Sequence, residues 1–237
     1  MAMESTKSIL VITARWLFIL CLPALLLTAS IGFAVNSQWL YEYGFDKYNV
    51  GQATGLADSE LENAASGLID YFNSNKDSIE ITVIKDGQSF TLFNQKEVAH
   101  LKDVKGLIWL DYWVLLGTGV YVLVYAVVSL CWLTRECRRR LATAVINGSG
   151  LTIGLILLLG LLALLDFDRF FLQFHLISFA NDLWQLDPTK DYLIMLFPQG
   201  FWYDATLFCA VLTVAMAAIL AGVAGGYLLI TRRREIF

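Results

Sequence analysis

The stretch ILVITARWLFILCLPALLLTASIGFAV, Ile9 to Val35, runs for 27 residues with a single charged side chain, Arg15. About 20 apolar residues at a rise of 1.5 Å cross the hydrocarbon core of a bilayer, so the run is long enough to span. Three more runs of the same kind follow, Leu110 to Leu133, Ala144 to Leu165 and Ala205 to Ile230. The chain therefore reads as an α-helical integral membrane protein with four transmembrane helices. Composition agrees, because 57% of the 237 residues are hydrophobic and only 16% charged, whereas soluble domains carry about 25% charged residues. With a mean hydropathy of +0.61, a soluble enzyme is excluded. The four runs take 99 residues and leave 138 outside them, too many for loops alone.

Charge orients the spans. Arg135, Arg138, Arg139 and Arg140 follow the second run, and Arg232, Arg233 and Arg234 follow the fourth; basic flanks are retained in the cytoplasm. Lys7 and Arg15 put the amino terminus on the same side. The divisions are then 1–35 for the N-terminus and first helix, 36–109 for an extracellular cap, and 110–133 for the second helix. A basic cytoplasmic loop, 134–143, leads to the third helix, 144–165. An aromatic-rich extracellular segment, 166–204, precedes the fourth helix, 205–230, and the basic cytoplasmic tail, 231–237. With Asp111 counted at the rim, the outside holds 18 acids against 8 bases, and the inside 9 bases against Glu4, Glu136 and Glu235. An acidic outer face argues against nucleic acid as a partner. Cys21 and Cys209 fall in spans and Cys131 and Cys137 at the inner end of the second, so the outer segments have no disulfide. The first run exceeds the apolar length of a signal peptide and reads as a retained helix. Cys21 follows the bulky Leu20, which does not fit a lipidation site.

Within 36–109, Leu61, Ala65, Leu68, Ile69 and Phe72 recur at helical spacing and predict an amphipathic helix over 58–73 behind an Asp58 or Ser59 cap. Ile79 to Ile84 and Ser89 to Phe93 read as strands joined at Asp86-Gly87, a hairpin signal. Asn94-Gln95-Lys96-Glu97 has the spacing of a capping box and opens a helix expected to run straight into the second span. The cap is thus a small α+β unit of helix, hairpin and helix. Gly148-Ser149-Gly150, at the start of the third span, reads as a turn and not as a phosphate-binding loop.

The segment 166–204 carries 11 aromatic residues among 39. A belt at headgroup level accounts for single rings. It does not account for the polar set threaded among them, His175, Asn181, Asp182, Asp187 and Asp191, which resembles a site. The chain has two histidines, His100 about ten residues before the second span and His175 about ten after the third. Imidazole gives or takes a proton near neutral pH, so the two can divide acid and base work. Asp103, three residues from His100, and Asp182, seven from His175, lie on the same faces if each helix persists. Spacing leaves open two unrelated interfacial histidines, and a zinc site of two His and two Asp.

The run FHLISFANDLWQLDPTKDYLIMLFPQGFWYDA, with KEVAHLKDVKGL before the second span, resembles the bacterial lipoprotein intramolecular transacylase family over nearly the whole chain. The resemblance implies a multi-pass enzyme of the Gram-positive cell membrane acting in lipoprotein biosynthesis, with membrane lipid as surroundings and diacylglyceryl-modified lipoproteins as partners. It moves the sn-2 acyl chain to the α-amino group of the lipoprotein's own N-terminal cysteine, giving a lyso-form. His100 and His175 match the family's catalytic pair, with no metal and no cofactor expected. His175 is assigned as base and His100 as acid, or the reverse, and Asn181 or Tyr203 as oxyanion stabiliser. The supporting or substrate-binding set is Asp103, Asn181, Asp182, Trp184, Asp187 and Tyr203. The alternative is a non-enzymatic membrane sensor or assembly protein with an acidic extracellular cap. A transporter fits less well, because the spans carry no central charges or obvious broken helices.

Overall fold

The computed structural model describes residues 2–131 and 134–233. Of the positions read above, Trp132, Leu133, Arg234 and Glu235 lie outside the described residues. The elements are α1 (Ala2–Val35), α2 (Gln38–Lys47), α3 (Val50–Thr54), α4 (Asp58–Asn73), β1 (Thr82–Lys85), β2 (Gln88–Thr91), α5 (Gln95–Cys131), α6 (Arg135–Leu165), α7 (Phe167–Ser178), α8 (Tyr192–Leu196) and α9 (Gln199–Arg233). Four of them, α1, α5, α6 and α9, are long and apolar enough to cross a membrane. The chain divides into two compact units. One takes the described residues of Met1–Ser30, Tyr112–Leu161 and Cys209–Phe237, and the other takes Ile31–Asp111 and Leu162–Phe208.

The first unit is a bundle whose core is formed by Phe18, Ile19, Leu22 and Leu26 of α1, Ala144 of α6 and Ala217 of α9. Small residues on α6 and α9 let the larger side chains of α1 fill the space, as packing between helices in lipid requires. The buried hydroxyls of Ser30 and Thr213 meet at 2.8 Å. Outward-facing Leu116, Leu123, Leu157, Leu161 and Val223 are exposed, the expected state of side chains whose solvent is acyl chain. Gly148-Ser149-Gly150 is not a turn but lies inside α6. A Cβ on Gly148 would stand 2.8 Å from Leu22 Cδ2 and 3.4 Å from the Ile19 carbonyl oxygen, so this glycine permits a close approach to α1. Pro23 has no N–H to give that Ile19 carbonyl, which leaves it turned toward a neighbour. Composition suggested a break here; helix contact is the reason for the glycine.

The second unit contains α2, α3, α4, the hairpin, the start of α5, α7, α8 and the start of α9. Helix α4 has the predicted bounds and buries Leu61, Ala65, Leu68 and Phe72 as its periodicity requires. Its N-cap is Ala57, with no side-chain cap bond, and Asp58 and Glu60 lie in the first turn, where carboxylates complement the helix dipole. The hairpin pairs Val83 with Phe90 and Lys85 with Gln88. Asp86 and Gly87 both have positive φ, 53° and 79°, as a two-residue hairpin turn whose twist matches its strands demands. Helices α2 and α3, absent from the sequence reading, fill the chain between α1 and α4. Gly44 of α2 lies against Phe201, whose ring a Cβ would strike. The Asp204 carboxylate accepts from Lys47 Nζ at 2.7 Å and from Tyr48 Oη at 2.8 Å.

Gly148→Val is expected to lower the thermal unfolding midpoint of the detergent-solubilised protein, since overpacking costs about 1–3 kcal/mol. Gly154→Val, where an added Cβ meets nothing within 4 Å, is the control; equal shifts in the two variants would contradict the close-approach reading. Glu97 is 1% exposed and accepts from two backbone N–H groups, Leu193 at 2.6 Å and Asn94 at 2.7 Å. Glu97→Ala strands both donors and is expected to cost roughly 2–5 kcal/mol, measured by the same unfolding assay with Glu97→Gln in between.

Candidate active site

Both histidines belong to the second unit. The capping box forms as its spacing predicts: the Asn94 N–H donates to Glu97 Oε2 at 2.7 Å, and the Glu97 N–H donates to Asn94 Oδ1 at 3.1 Å. This starts α5 at Gln95 and puts His100 on the turn after Glu97, 6% exposed. Helix α7 is capped by Asp166, whose carboxylate accepts from the Arg169 N–H at 3.0 Å. Its strongly amphipathic pattern turns His175, 8% exposed, inward.

The two imidazole centroids lie 6.4 Å apart, with planes 28° from parallel. Aromatic rings wall them. From His175, Phe171 lies at 4.4 Å, Trp184 at 4.9 Å, Phe174 at 5.4 Å and Phe179 at 5.6 Å; Phe179 is also 5.1 Å from His100. His175 Nδ1 lies 2.8 Å from the Phe171 carbonyl oxygen. A carbonyl only accepts, so this contact assigns the proton to Nδ1 and leaves the lone pair on Nε2. His100 Nδ1 is buried with no hydrogen-bond partner among the described residues, so nothing holds its tautomer through that atom. Burial, then the neighbouring His175 and Lys96, push the His100 pKa down to about 4 against an opposing pull from Asp103. Burial lowers His175 as well, partly offset by its bond to the Phe171 carbonyl. Near neutral pH both rings are therefore uncharged.

The expected supporting residues separate into near and far. Trp184 packs on His175. The Asp103 carboxylate accepts from Asn181 Nδ2 at 2.9 Å, which puts Asn181 beside the His100 helix. Asp182 does not share a face with His175, because α7 ends at Ser178; its carboxylate instead accepts from Gln185 Nε2 at 2.9 Å. Asp187 closes a local turn, accepting from the Thr189 N–H at 2.9 Å and its hydroxyl at 2.7 Å. Those bonds, with Lys190, hold its carboxyl below the ordinary range against an opposing desolvation cost. Tyr203 packs edge-on against Phe167 at 5.2 Å, and Phe167 in turn lies 5.7 Å from Phe171, so it reaches the pair only through two intervening rings. Among the described residues no group of three or more His, Cys, Asp or Glu side chains is placed to hold a metal ion.

Spacing did not disclose how the segment after α7 is tied down. The second oxygen of Glu97 takes the Leu193 N–H. Asp191, 7% exposed, accepts from Asn94 Nδ2 at 2.8 Å and from the Asp187 N–H at 2.7 Å. Lys96 Nζ donates to the Gln185 carbonyl. The first turn of α5 thus grips 185–193, the stretch that follows Trp184. Burial raises the Glu97 carboxyl, and the two N–H donors partly offset this. The signal was present in the capping box, since a boxed glutamate uses one oxygen and leaves the other to be satisfied.

The chain is similar to known proteins. A protein of Aquifex aeolicus described as uncharacterized is 34% identical over 122 residues, 51% of this chain, and the match spans about half the length of that relative. The solved structure of the membrane integral lipoprotein intramolecular transacylase Lit from Bacillus cereus superposes with a TM-score of 0.77 at 19% identity, covering 95% of this chain and 97% of that one. A variant of the same Bacillus protein with a histidine replaced by arginine superposes with a TM-score of 0.76 at 18% identity, covering 98% and 97%. These likenesses establish the multi-pass membrane fold. The family described as lipoprotein intramolecular transacylase Lit matches residues 16–202, and the chain belongs to that family.

Proposed function

We propose that the protein moves the sn-2 acyl chain of a diacylglyceryl lipoprotein onto the α-amino group of the same molecule's N-terminal cysteine, with His175 and His100 as the proton-transfer pair. The observation that carries this reading is the pair of buried, uncharged imidazoles in an aromatic wall, one with its tautomer fixed so that Nε2 is free to accept. The neutral amine attacks the ester carbonyl, and a C–N bond forms as the carbonyl oxygen gains charge. His175 Nε2 takes the proton that the nitrogen must shed. As the C–O bond to glycerol breaks, the departing oxygen receives one proton, passed on through His100, whose tautomer is not held at Nδ1. One proton has moved from nitrogen to oxygen, and the product is an amide and a free glyceryl hydroxyl. The Asn181 amide, whose bond to Asp103 sets it beside the His100 helix, is the better candidate for the oxyanion than Tyr203, once released from Asp103.

Apolar exposure supports a substrate arriving through lipid. Leu172, Phe174, Leu176 and Ile177 of α7 are exposed, Ile177 by 83%, as befits a helix with one face in acyl chains. The charge distribution supports an orientation with the acidic 36–109 and 166–204 segments outside and the basic flanks, with both termini, in the cytoplasm. The enzymatic reading is favoured over a sensor or assembly role by the family assignment, and it needs neither nucleotide nor diffusing acyl donor.

Co-expression with a diacylated lipoprotein, followed by fragmentation mass spectrometry of the N-terminal lipopeptide, is expected to show acyl on the amine and one chain gone from glycerol. An unchanged diacyl form beside well-folded protein sinks the proposal. His100→Ala and His175→Ala are each expected to cut conversion by about 10²- to 10⁴-fold with the unfolding midpoint retained; full activity in either removes that residue from the mechanism. Because burial lowers both imidazole pKa values, both rings stay mainly uncharged as pH falls from 8 to 7. The acid limb of the conversion rate should follow the substrate amine, with an inflection near its ordinary pKa of about 7.7–8.0. A limb centred near 6.5 would mean that an unperturbed histidine controls the rate.

A further inference from the structure

A second charged feature lies in the bundle unit, formed by the early turns of α1 and α6. Val11, Ile12 and Arg15 of α1 and Glu136, Arg139, Arg140 and Thr143 of α6 line a hollow of about 720 Å³. Three guanidinium groups there face one carboxylate, and that carboxylate is engaged by Arg140 Nε at 2.9 Å. The Thr143 hydroxyl donates to the Arg139 carbonyl at 2.9 Å. Arg15 Nε is buried and has no hydrogen-bond partner among the described residues. An unmet buried donor on a half-exposed cation is costly, so the hollow calls for an anion.

Depth indicates which anion. The apolar stretch of α1 is 27 residues long, about seven more than a bilayer core needs. Trp16 to Val35 is 20 residues and suffices to cross, which puts Arg15 at the level of lipid phosphates. Trp16, 60% exposed, suits the interface as an anchor. Val11 and Ile12, 48% and 54% exposed, give the hollow an apolar lip against which the start of an acyl chain can lie. We propose that this hollow binds the headgroup of an anionic glycerophospholipid, with Arg15 and Arg139 on its phosphate. The two free oxygens of a phosphodiester match the fork of a guanidinium, basic recesses between membrane helices take up anionic headgroups, and the volume admits a phosphoglycerol group. The site is independent of the histidine pair and of the acyl-transfer reading.

The test uses the purified full-length protein and native mass spectrometry with phosphatidylglycerol or phosphatidylcholine added to the detergent. Wild type is expected to retain one phosphatidylglycerol about tenfold better than phosphatidylcholine. Arg15→Gln and Arg139→Gln should each retain it about five- to tenfold less well, while Lys190→Gln, in the other unit, should not change it. Equal retention of the two lipids by wild type, or undiminished phosphatidylglycerol retention in both arginine variants, overturns the proposal. Displacement of the lipid by inorganic phosphate at matched concentration also overturns it, by showing that the hollow selects free anion. Should Arg15→Gln fail to insert, Arg139→Gln, whose side chain is on the surface, decides alone.

Discussion

The buried carboxylate of Glu97 is the joint on which the arrangement of the second unit depends. The segment 166–204 contains only two helices of its own, of 12 and 5 residues, before α9 begins. A chain so short of regular structure needs its backbone groups met elsewhere. Glu97 meets one of them, the Leu193 N–H at the start of α8, while its other oxygen holds the Asn94 N–H at the start of its own helix. Asn94 and Lys96 reach Asp191 and the Gln185 carbonyl from the same turn. Because His100 is one turn further along α5, the residues that anchor the aromatic segment are rigidly related to the first imidazole. Trp184, next to the anchored stretch, then rests on the second.

That arrangement explains why the two imidazoles are uncharged. Aromatic faces exclude water without offering hydrogen bonds that would favour an imidazolium strongly, and burial therefore dominates both shifts. The one carboxylate that pulls the His100 pKa upward, Asp103, is outweighed by burial and the neighbouring His175, and Asp182 turns to Gln185 instead. A charged ring here would have to be expelled or paired. A neutral ring can receive a proton briefly and must give it up soon after, which suits a proton-transfer step better than a resting salt bridge would.

The sequence disclosed those features that depend on local chemistry. The four apolar runs, the periodicity of α4, the Asp86-Gly87 turn and the Asn94–Glu97 box each rest on interactions within a few residues, and each appears where the pattern puts it. The exceptions depend on distant partners. Helix α2 carries Tyr41, Gly44 and Phe45 in no strong amphipathic pattern, because these residues pack on Phe197 and Phe201 more than 150 positions away. Gly148 reads as a break until Leu22 is seen against it. Asp182 shares the face of His175 only if that helix persists, and it stops at Ser178. The spacing of the two histidines from their apolar runs was legible, but not that their rings lie 6.4 Å apart.

Intramolecular transfer also makes sense of how few polar groups surround the pair. An acyl acceptor in the same molecule as the ester enjoys an effective concentration that well-oriented systems raise to about 10⁵–10⁸ M, so the protein has no second substrate to capture. Its remaining tasks are to hold one lipid head in a productive pose and to keep water from the ester. Aromatic side chains serve both, since each ring gives a flat apolar surface with few torsions to freeze. An enzyme using a diffusing acceptor would need a second polar pocket near the pair. Here the polar residues nearby serve mainly to hold the chain, as Asp187, Asp191 and Glu97 do, and on the proposed mechanism the reacting centre is left to two imidazoles and the surfaces that keep them dry.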